Sequence, residues 1–513
     1  MTRLAQIVDT SLKVGATRGR LVKVRELAAC LRSFAADEID IGVHYLSGDT
    51  RQGRFGIGYA ALRTASGGTA AAQATLTLTD VDRRLGDITE IRGSGSASRR
   101  SEALRELFSL ATAAEQEFLI RLLIGELRQG ALAGVMIDAI VAATEIPAAD
   151  VRRAAMYAPS LGALTRVALL EGTAGLAQFQ LEILHPVTPM LAQTAADTAE
   201  ALQQLSGEVA FEWKMDGARI QAHKSADTVR IYTRNLNDVT SAVPEIAEVV
   251  QSLPAHDIVL DGEAIAFTPS GRPHAFQVTM RRFGRKLDVA KLRTELPMRA
   301  FFFDCLRLNG ESLADKPARD RFDALAQAVP ESLRIPQLIT ASKEEAQAFY
   351  DAAIAAGHEG VMAKSLSSPY EAGNRGASWL KIKRAHTLDL VVLAAEWGHG
   401  RRTGKLSNLH LGALDPATGE YVMLGKTFKG LTDAMLEWQT KEFLAREIRR
   451  DQWTVYVRPE IVVEIAFSDL QDSPRYPGKF ALRLARVKRY RDDKPASEAD
   501  TMESIRRIYA AQN

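Results

Sequence analysis

Only two cysteines, Cys30 and Cys305, occur in the 513 residues of the chain, and they stand far apart. A four-thiolate zinc site and a disulfide framework are therefore both excluded, and a reducing, cytoplasmic home is the default expectation. Long hydrophobic runs are as scarce. The most apolar helical stretch, Ala131 to Ala143, is interrupted by Asp138 and falls short of the roughly 20 residues that cross a bilayer. The opening segment, MTRLAQIVDTSLKVGATRGR, lacks the apolar core of a signal peptide, so no membrane partner is expected. An excess of one charge is missing too: 65 Lys and Arg face 63 Asp and Glu, leaving +2. Any nucleic-acid surface must then come from local basic patches. What remains is a globular composition, 46% hydrophobic and 25% charged, with length enough for about three domains.

The organising stretch is EWKMDGAR, Glu212 to Arg219. Val209, Phe211 and Trp213 alternate with polar positions as in a half-buried strand, Met215-Asp216-Gly217 reads as a tight turn, and a second alternating run starts at Ile220. Lys214 thus stands where a strand runs out, flanked by Glu212 and Asp216, with Gly217 removing a side chain where a close approach is needed. Such a lysine suits covalent nucleophilic chemistry if its amine is neutral when it reacts. The alternative is an exposed strand-end lysine paired with Asp216 across the turn.

Residues 1–184 read as an all-α domain. Leu21 to Phe34, Ser101 to Leu110, Ala114 to Arg128 and Ala131 to Thr144 carry apolar residues at helical spacing. The glycine-rich Ser47 to Gly58 lacks a leading strand and reads as a loop. Basic residues gather at Arg18, Arg20, Lys23 and Arg25, and at Arg99, Arg100, Arg121 and Arg128; they form either a phosphate-binding surface or an ordinary solvated helix face. Prolines in His185 to Leu191 (HPVTPML) mark a linker into an α+β segment, 185–384. Its strands are Val229 to Arg234, Ile258 to Phe267, Met298 to Leu308 before the Asn309-Gly310 turn, Gly360 to Lys364 and Trp379 to Lys383. Residues 385–513 show short strands, among them Val455 to Phe467 and Ala481 to Arg491, around one helix from Thr432 to Arg449, the pattern of a small barrel. The loop Gly398 to Lys405 (GHGRRTGK) fails as a P-loop because its spacing is wrong and Leu406 replaces Ser or Thr.

Five islands line up behind EWKMDGAR: Asp261-Gly262-Glu263, Phe301 to Asp304, Glu359 to Lys364, Trp379-Leu380-Lys381-Ile382-Lys383, and Arg491-Asp492-Asp493-Lys494. In this order the chain, from about Pro189 to Lys494, resembles the covalent nucleotidyltransferases, and most of all the three-domain ATP-dependent DNA ligases related to eukaryotic DNA ligase I. Leu127-Arg128-Gln129-Gly130 extends the resemblance loosely into the helical block. The resemblance implies a helical DNA-binding domain, a nucleotidyltransferase (ATP-grasp-like) core and a C-terminal OB-fold barrel.

It also implies roles. Lys214 would form the lysyl-AMP intermediate with ATP. Glu212 would lie at the purine edge, Phe303 would stack on adenine, and Phe301 and Phe302 would pack in the core. Arg219 would face the ribose or the 5′-phosphate of the nick, Arg234 that 5′-phosphate, and Glu263 and Glu359 the ribose and Mg²⁺. Lys364 would meet the α-phosphate or the 5′-phosphate, and Lys381 and Lys383 the α-phosphate; the last two alternate with Leu380 and Ile382 and so share a strand face. Arg491 and Lys494 would orient the β and γ phosphates in the first step only, with a hinge near Arg384 to Asp389. The partner would be nicked duplex DNA, encircled by a monomer. NAD⁺ is disfavoured as donor, since the ligases using it usually carry a four-cysteine zinc module. An RNA ligase, a capping-type guanylyltransferase, or a non-catalytic DNA clamp are the competing readings.

Overall fold

The computed structural model describes residues 1–513 apart from 18, 54, 56, 128, 130–132, 284–288, 372–377, 385, 400, 401 and 513. Arg18, Arg128 and Gly130, named above, lie outside the described residues, as do single positions of both glycine-rich loops and of the expected hinge. The chain divides into two compact units. One holds Met1–Ala195, Ala199–Ala346 and Met362–Lys381; the other holds Ala196–Thr198, Gln347–Val361 and Ile382–Asn513.

The helical block opens the first unit. Its helices include Leu4–Ala16, Arg20–Arg32, Ile39–Ser47, Leu78–Glu90, Ser96–Ser109, Ala113–Leu123, Ala133–Thr144 and Leu161–Leu176. Spacing explains them: Leu4, Ile7, Val8, Ser11 and Val14 bury one stripe of the first helix. Thr112 and Glu115 form a capping box at the start of Ala113–Leu123. That helix stops five residues before the expected Arg128, because Gly125 turns the chain with φ +71°.

Two five-stranded sheets follow. In chain order the strands are β1 (Gln193–Thr194), β2 (Val209–Lys214), β3 (Ala218–Ser225), β4 (Thr228–Thr233), β5 (Asp257–Ala266), β6 (Met298–Leu308), β7 (Glu311–Ser312), β8 (Gln337–Thr340), β9 (Gly360–Ser365) and β10 (Trp379–Lys383). One sheet runs β1-β10-β9-β2-β8, the other β4-β3-β5-β6-β7. Asn309 and Gly310, at φ +44° and +91°, close the two-residue β6–β7 hairpin as the sequence suggested. β2 is not half-buried as its alternation implied: Val209 to Glu212 are all buried, so both faces of the strand are covered, Ala210 packing with Ala318, Phe322 and Leu366. The linker reading of His185 to Leu191 is also corrected. Val187 and Met190 are buried, the Val187 N–H donates to Gln221 Oε1 at 2.6 Å and the Met190 N–H to the Tyr370 hydroxyl at 3.0 Å. Together with Met156 and Leu181 they pack on Val259, Leu306, Ala314 and Trp379, joining helical block to core.

The second unit contains β11 (His386–Trp397), β12 (Leu406–Asp415), β13 (Glu420–Thr427), β14 (Glu447–Arg450), β15 (Thr454–Val457), β16 (Val462–Phe467), β17 (Leu470–Asp472), β18 (Phe480–Leu482) and β19 (Arg486–Tyr490). A seven-stranded sheet runs β13-β12-β11-β15-β14, and β16 joins β11 to β19. Three expectations need correction. Val455 to Phe467 is two strands, broken around Pro459, which has no N–H for a ladder. Ala481 to Arg491 is likewise two, split where Leu484 takes φ +56°. The helix from Thr432 runs only over Asp433–Ala445, since Glu447–Arg450 pairs as a strand with β15 instead; a further helix, Met502–Gln512, closes the chain.

In the first unit, Arg321 and Asp304 form an ion pair at 2.7 Å with both side chains 0% exposed. Two further Arg321 bonds, to the carbonyls of Lys316 and Ser368, complete its cage. Replacing Arg321 by Met keeps volume but strands the buried Asp304 carboxylate, so denaturant unfolding is expected to show a loss of about 3–5 kcal/mol in this unit. An unchanged transition would show that the carboxylate needs no buried counter-charge.

Candidate functional site

Lys214 ends β2, and the turn Met215-Asp216-Gly217 carries the chain into β3. Gly217 is required there for room: a Cβ would lie 2.5 Å from the Ala264 carbonyl oxygen and 2.9 Å from Glu263 Cγ. Across the β3–β5 ladder Arg219 pairs in register with Glu263, which sets the two side chains on one face. Burial pushes the Glu263 carboxyl up to about 8; the charges of Lys214 and Arg219 draw it back and those of Asp216 and Asp261 add to the rise.

Phe303 owes its position to a bulge. On β6, Phe302 pairs with Gly262 but Asp304 pairs with Asp261, so Phe303 is the extra residue and its side chain is re-aimed. Phe301 and Phe302 are buried, while Phe303 keeps partial exposure. Two cations lie on the Phe303 ring, Lys364 Nζ at 4.4 Å and the Arg219 guanidinium at 5.5 Å. Lys364 Nζ also sits 4.3 Å from the Trp379 ring and 2.5 Å from Glu212, in a pair only 1% and 3% exposed. Gln337 donates to the other Glu212 oxygen at 3.0 Å. Burial raises the Glu212 carboxyl, and Lys364 and Gln337 work against the rise. Arg219 is held by Asp261 in two bonds of 3.0 and 2.6 Å, by the Met190 carbonyl at 2.6 Å and by the Tyr370 hydroxyl, which itself donates to Asp261.

The first unit therefore gathers Glu212, Lys214, Arg219, Glu263, Phe303 and Lys364. Lys381 lies on β10 opposite Thr194 in the same five-stranded sheet as β2. Arg234 is exposed, one residue beyond β4. The remaining candidates belong to the second unit. There Lys383 pairs with Glu359 at 2.7 Å, and Arg491 and Lys494 both reach Asp389 Oδ2, at 2.6 and 2.8 Å. Tyr370, Gln337, Trp379 and Asp389 were not singled out from the sequence as site residues. Trp379 heads the WLKIK island, which was the available signal; the other three lie in no motif. Several basic residues of the helical block are engaged internally: Arg20 with Asp138, Lys23 with the Gln129 carbonyl, Arg100 with the Ile91 carbonyl and Arg121 with Glu117.

A hard divalent cation fits Glu263, an oxygen ligand whose carboxyl is raised chiefly by burial and whose ionised form such a cation would favour. Glu359 already has the Lys383 ammonium as counter-charge, so a dication there would have to share or displace it.

A strand-end lysine electrostatically coupled to a half-buried glutamate, with a bulged aromatic capped by cations, defines a nucleotide-handling core that follows a helical block and precedes a β domain in the chain. Three family descriptions match the chain along its length: "DNA ligase N terminus" over 60–141, "ATP dependent DNA ligase domain" over 189–383 and "ATP dependent DNA ligase C terminal region" over 402–494. A protein of Anaeromyxobacter sp. (strain Fw109-5) named "Probable DNA ligase" is 56% identical over 99% of this chain and 98% of its own length. One of the same name from Mycolicibacterium gilvum is 53% identical over 99% of this chain and 100% of its length. A solved structure titled "Pmar-Lig_Pre." shares the fold, with TM-score 0.57 and 18% identity over 95% of this chain and 99% of that one. The chain belongs to the ATP-dependent DNA ligases. All three descriptions name DNA ligases, which favours that reading over the RNA-ligase and capping-enzyme alternatives. Among the described residues no helix is long and apolar enough to cross a membrane.

The raised Glu263 carboxyl has a consequence for stability. Its folded value near 8 exceeds the ordinary 4.5, so the folded state holds the proton more tightly. Its stabilising contribution is complete at low pH and is lost as pH rises from about 4.5 to 8. Glu263→Gln, neutral throughout, should flatten that decline in the ligand-free protein, read as thermal midpoints across a pH series; parallel curves for the two proteins would contradict the assignment.

Proposed function

We propose that Lys214 is the residue that becomes adenylated. In this reading its neutral amine attacks the α-phosphorus of ATP; the Nζ–P bond forms as the bond to the pyrophosphate oxygen breaks, and the amine proton is lost. An oxygen of the 5′-phosphate at a nick then attacks the same phosphorus, returning the lysine and leaving a DNA-adenylate. The 3′-hydroxyl finally attacks the 5′-phosphate and AMP departs. The observation that carries this assignment is the strand-end Lys214 electrostatically coupled to the half-buried Glu263, whose ladder partner Arg219 lies, with Lys364, on the Phe303 ring.

Glu212, anchored by Lys364 and Gln337, is suited to accept from the adenine amino group, and its carboxylate disfavours the carbonyl oxygen that guanine bears there. Phe303 supplies the stacking surface. Arg219 addresses the ribose or the 5′-phosphate, Lys364, Lys381 and Lys383 the α-phosphate, and Arg234 the 5′-phosphate of the nick. Mg²⁺, held by Glu263 and Glu359, would neutralise phosphate charge during the transfers. Arg491 and Lys494 act on the β and γ phosphates in the first step alone. The working form is a monomer whose segments 1–184, 185–384 and 385–513 encircle nicked duplex DNA, in the cytoplasm and, in a bacterium, at the nucleoid. Contacts of this kind read backbone geometry more than sequence.

Two outcomes are expected. Lys214→Ala abolishes covalent labelling by [α-³²P]ATP, with the label in the wild type mapping to the Lys214 peptide; labelling of the variant, or with GTP in preference to ATP, would overturn the reading. Arg491→Ala impairs self-adenylation yet largely spares sealing of a pre-adenylated nick, and normal labelling of that variant removes its first-step role.

A further inference from the structure

Asp389, near the start of β11, is a point where two cations of the second unit converge. A single oxygen, Oδ2, accepts from Arg491 Nη1 at 2.6 Å and from Lys494 Nζ at 2.8 Å. Its backbone is fixed on both sides. In the ladder it stands opposite Glu464 of β16, and Asp500 clasps it through two bonds of 2.8 Å, Asp389 N–H to Asp500 Oδ2 and Asp500 N–H to the Asp389 carbonyl. Arg491 is constrained in turn. Its N–H donates to the Val462 carbonyl, and its Nε and Nη2 donate to Asp493 at 2.8 Å each. Two long, flexible cationic side chains that would otherwise repel each other are thereby brought onto one nearly buried atom of a rigid strand.

We propose that Asp389 is a positioning residue for self-adenylation: it holds Arg491 and Lys494 side by side as a preassembled pair for the departing diphosphate. The inference rests on the first-step role of Arg491 and Lys494 given above and adds a residue outside their motif. Charge alone points the other way. A carboxylate next to a polyphosphate site repels the ligand, so by net charge its removal should strengthen use of ATP. By geometry, removal should weaken it, because preorganisation of the two donors is lost. The sign of the effect separates the two.

The test compares Asp389→Asn, Asp389→Glu and the double variant Arg491→Ala/Lys494→Ala with wild type, full-length in each case. Single-turnover formation of the enzyme–adenylate from ATP is measured beside sealing of a pre-adenylated nick. Asp389→Asn is expected to slow adenylation by about tenfold or more while pre-adenylated sealing stays within about twofold, and it should cost nothing further on the double-variant background. Asp389→Glu, which keeps the charge but shifts it by one methylene, should fall between Asn and wild type. Adenylation by Asp389→Asn as fast as wild type would overturn the proposal, as would a further loss on the double-variant background, which would mark a merely structural role. If Asp389→Asn does not fold, the Glu variant decides: wild-type adenylation there refutes the positioning role. Normal adenylation by the double variant removes the underlying first-step role and this inference with it, whereas a slow double variant with a fast Asp389→Asn removes only this inference.

Discussion

The buried pair between Lys364 and Glu212 is the interaction on which the core depends. Its two side chains come from β9 and β2, neighbours in one sheet, and the ammonium reaches across to Phe303 on β6 of the other sheet, donating to its carbonyl at 3.3 Å and lying on its ring. Taking two charges out of water is costly, and only dense compensation makes it tolerable. Here the carboxylate accepts from Lys364 and Gln337, and the ammonium finds a carboxylate, a carbonyl and two aromatic faces. Such a pair adds little net stability over an apolar core. What it provides is geometry: β2, and with it Lys214, is held in register with the aromatic face of the opposite sheet.

The same logic recurs through both units and accounts for a nearly neutral chain in a family that handles polyanions. Cations expected to meet phosphate are matched by carboxylates: Arg219 with Asp261, Lys383 with Glu359, Arg491 with Asp389 and Asp493, and Lys494 with Asp389. Each of these cations is balanced inside the protein, so positive charge is concentrated locally and the chain needs no large net charge. Glu263 is the exception. Burial raises its carboxyl more than Lys214 and Arg219 can draw it back, and a divalent cation would favour the ionised form.

Chemistry was more legible from sequence than architecture was. Six islands with ordered spacing carried the resemblance to the ligases, and that resemblance indicated which lysine, which glutamates and which aromatic to watch. Element boundaries suffered where tertiary pairing overruled local preference, as when Glu447–Arg450 left the preceding helix to pair with β15. The alternation in β2 pointed to one wet face, yet Val209 to Glu212 are buried at successive positions and therefore on both faces. HPVTPML looked like a linker because proline and threonine suit turns, but its N–H groups found buried acceptors in Gln221 and Tyr370.

By itself the sequence carried the motifs that place the chain among the ATP-dependent DNA ligases and the order of helical, α+β and β segments, because these depend on residue type and spacing along the chain. Only the tertiary structure decided which charges neutralise which. Tyr370 on Arg219, Gln337 on Glu212 and Asp389 on Arg491 and Lys494 join residues separated by about a hundred positions or more. It also shows why Phe303, among three successive phenylalanines, is the one left partly exposed, since a bulge is a property of two paired strands and is invisible in either one alone.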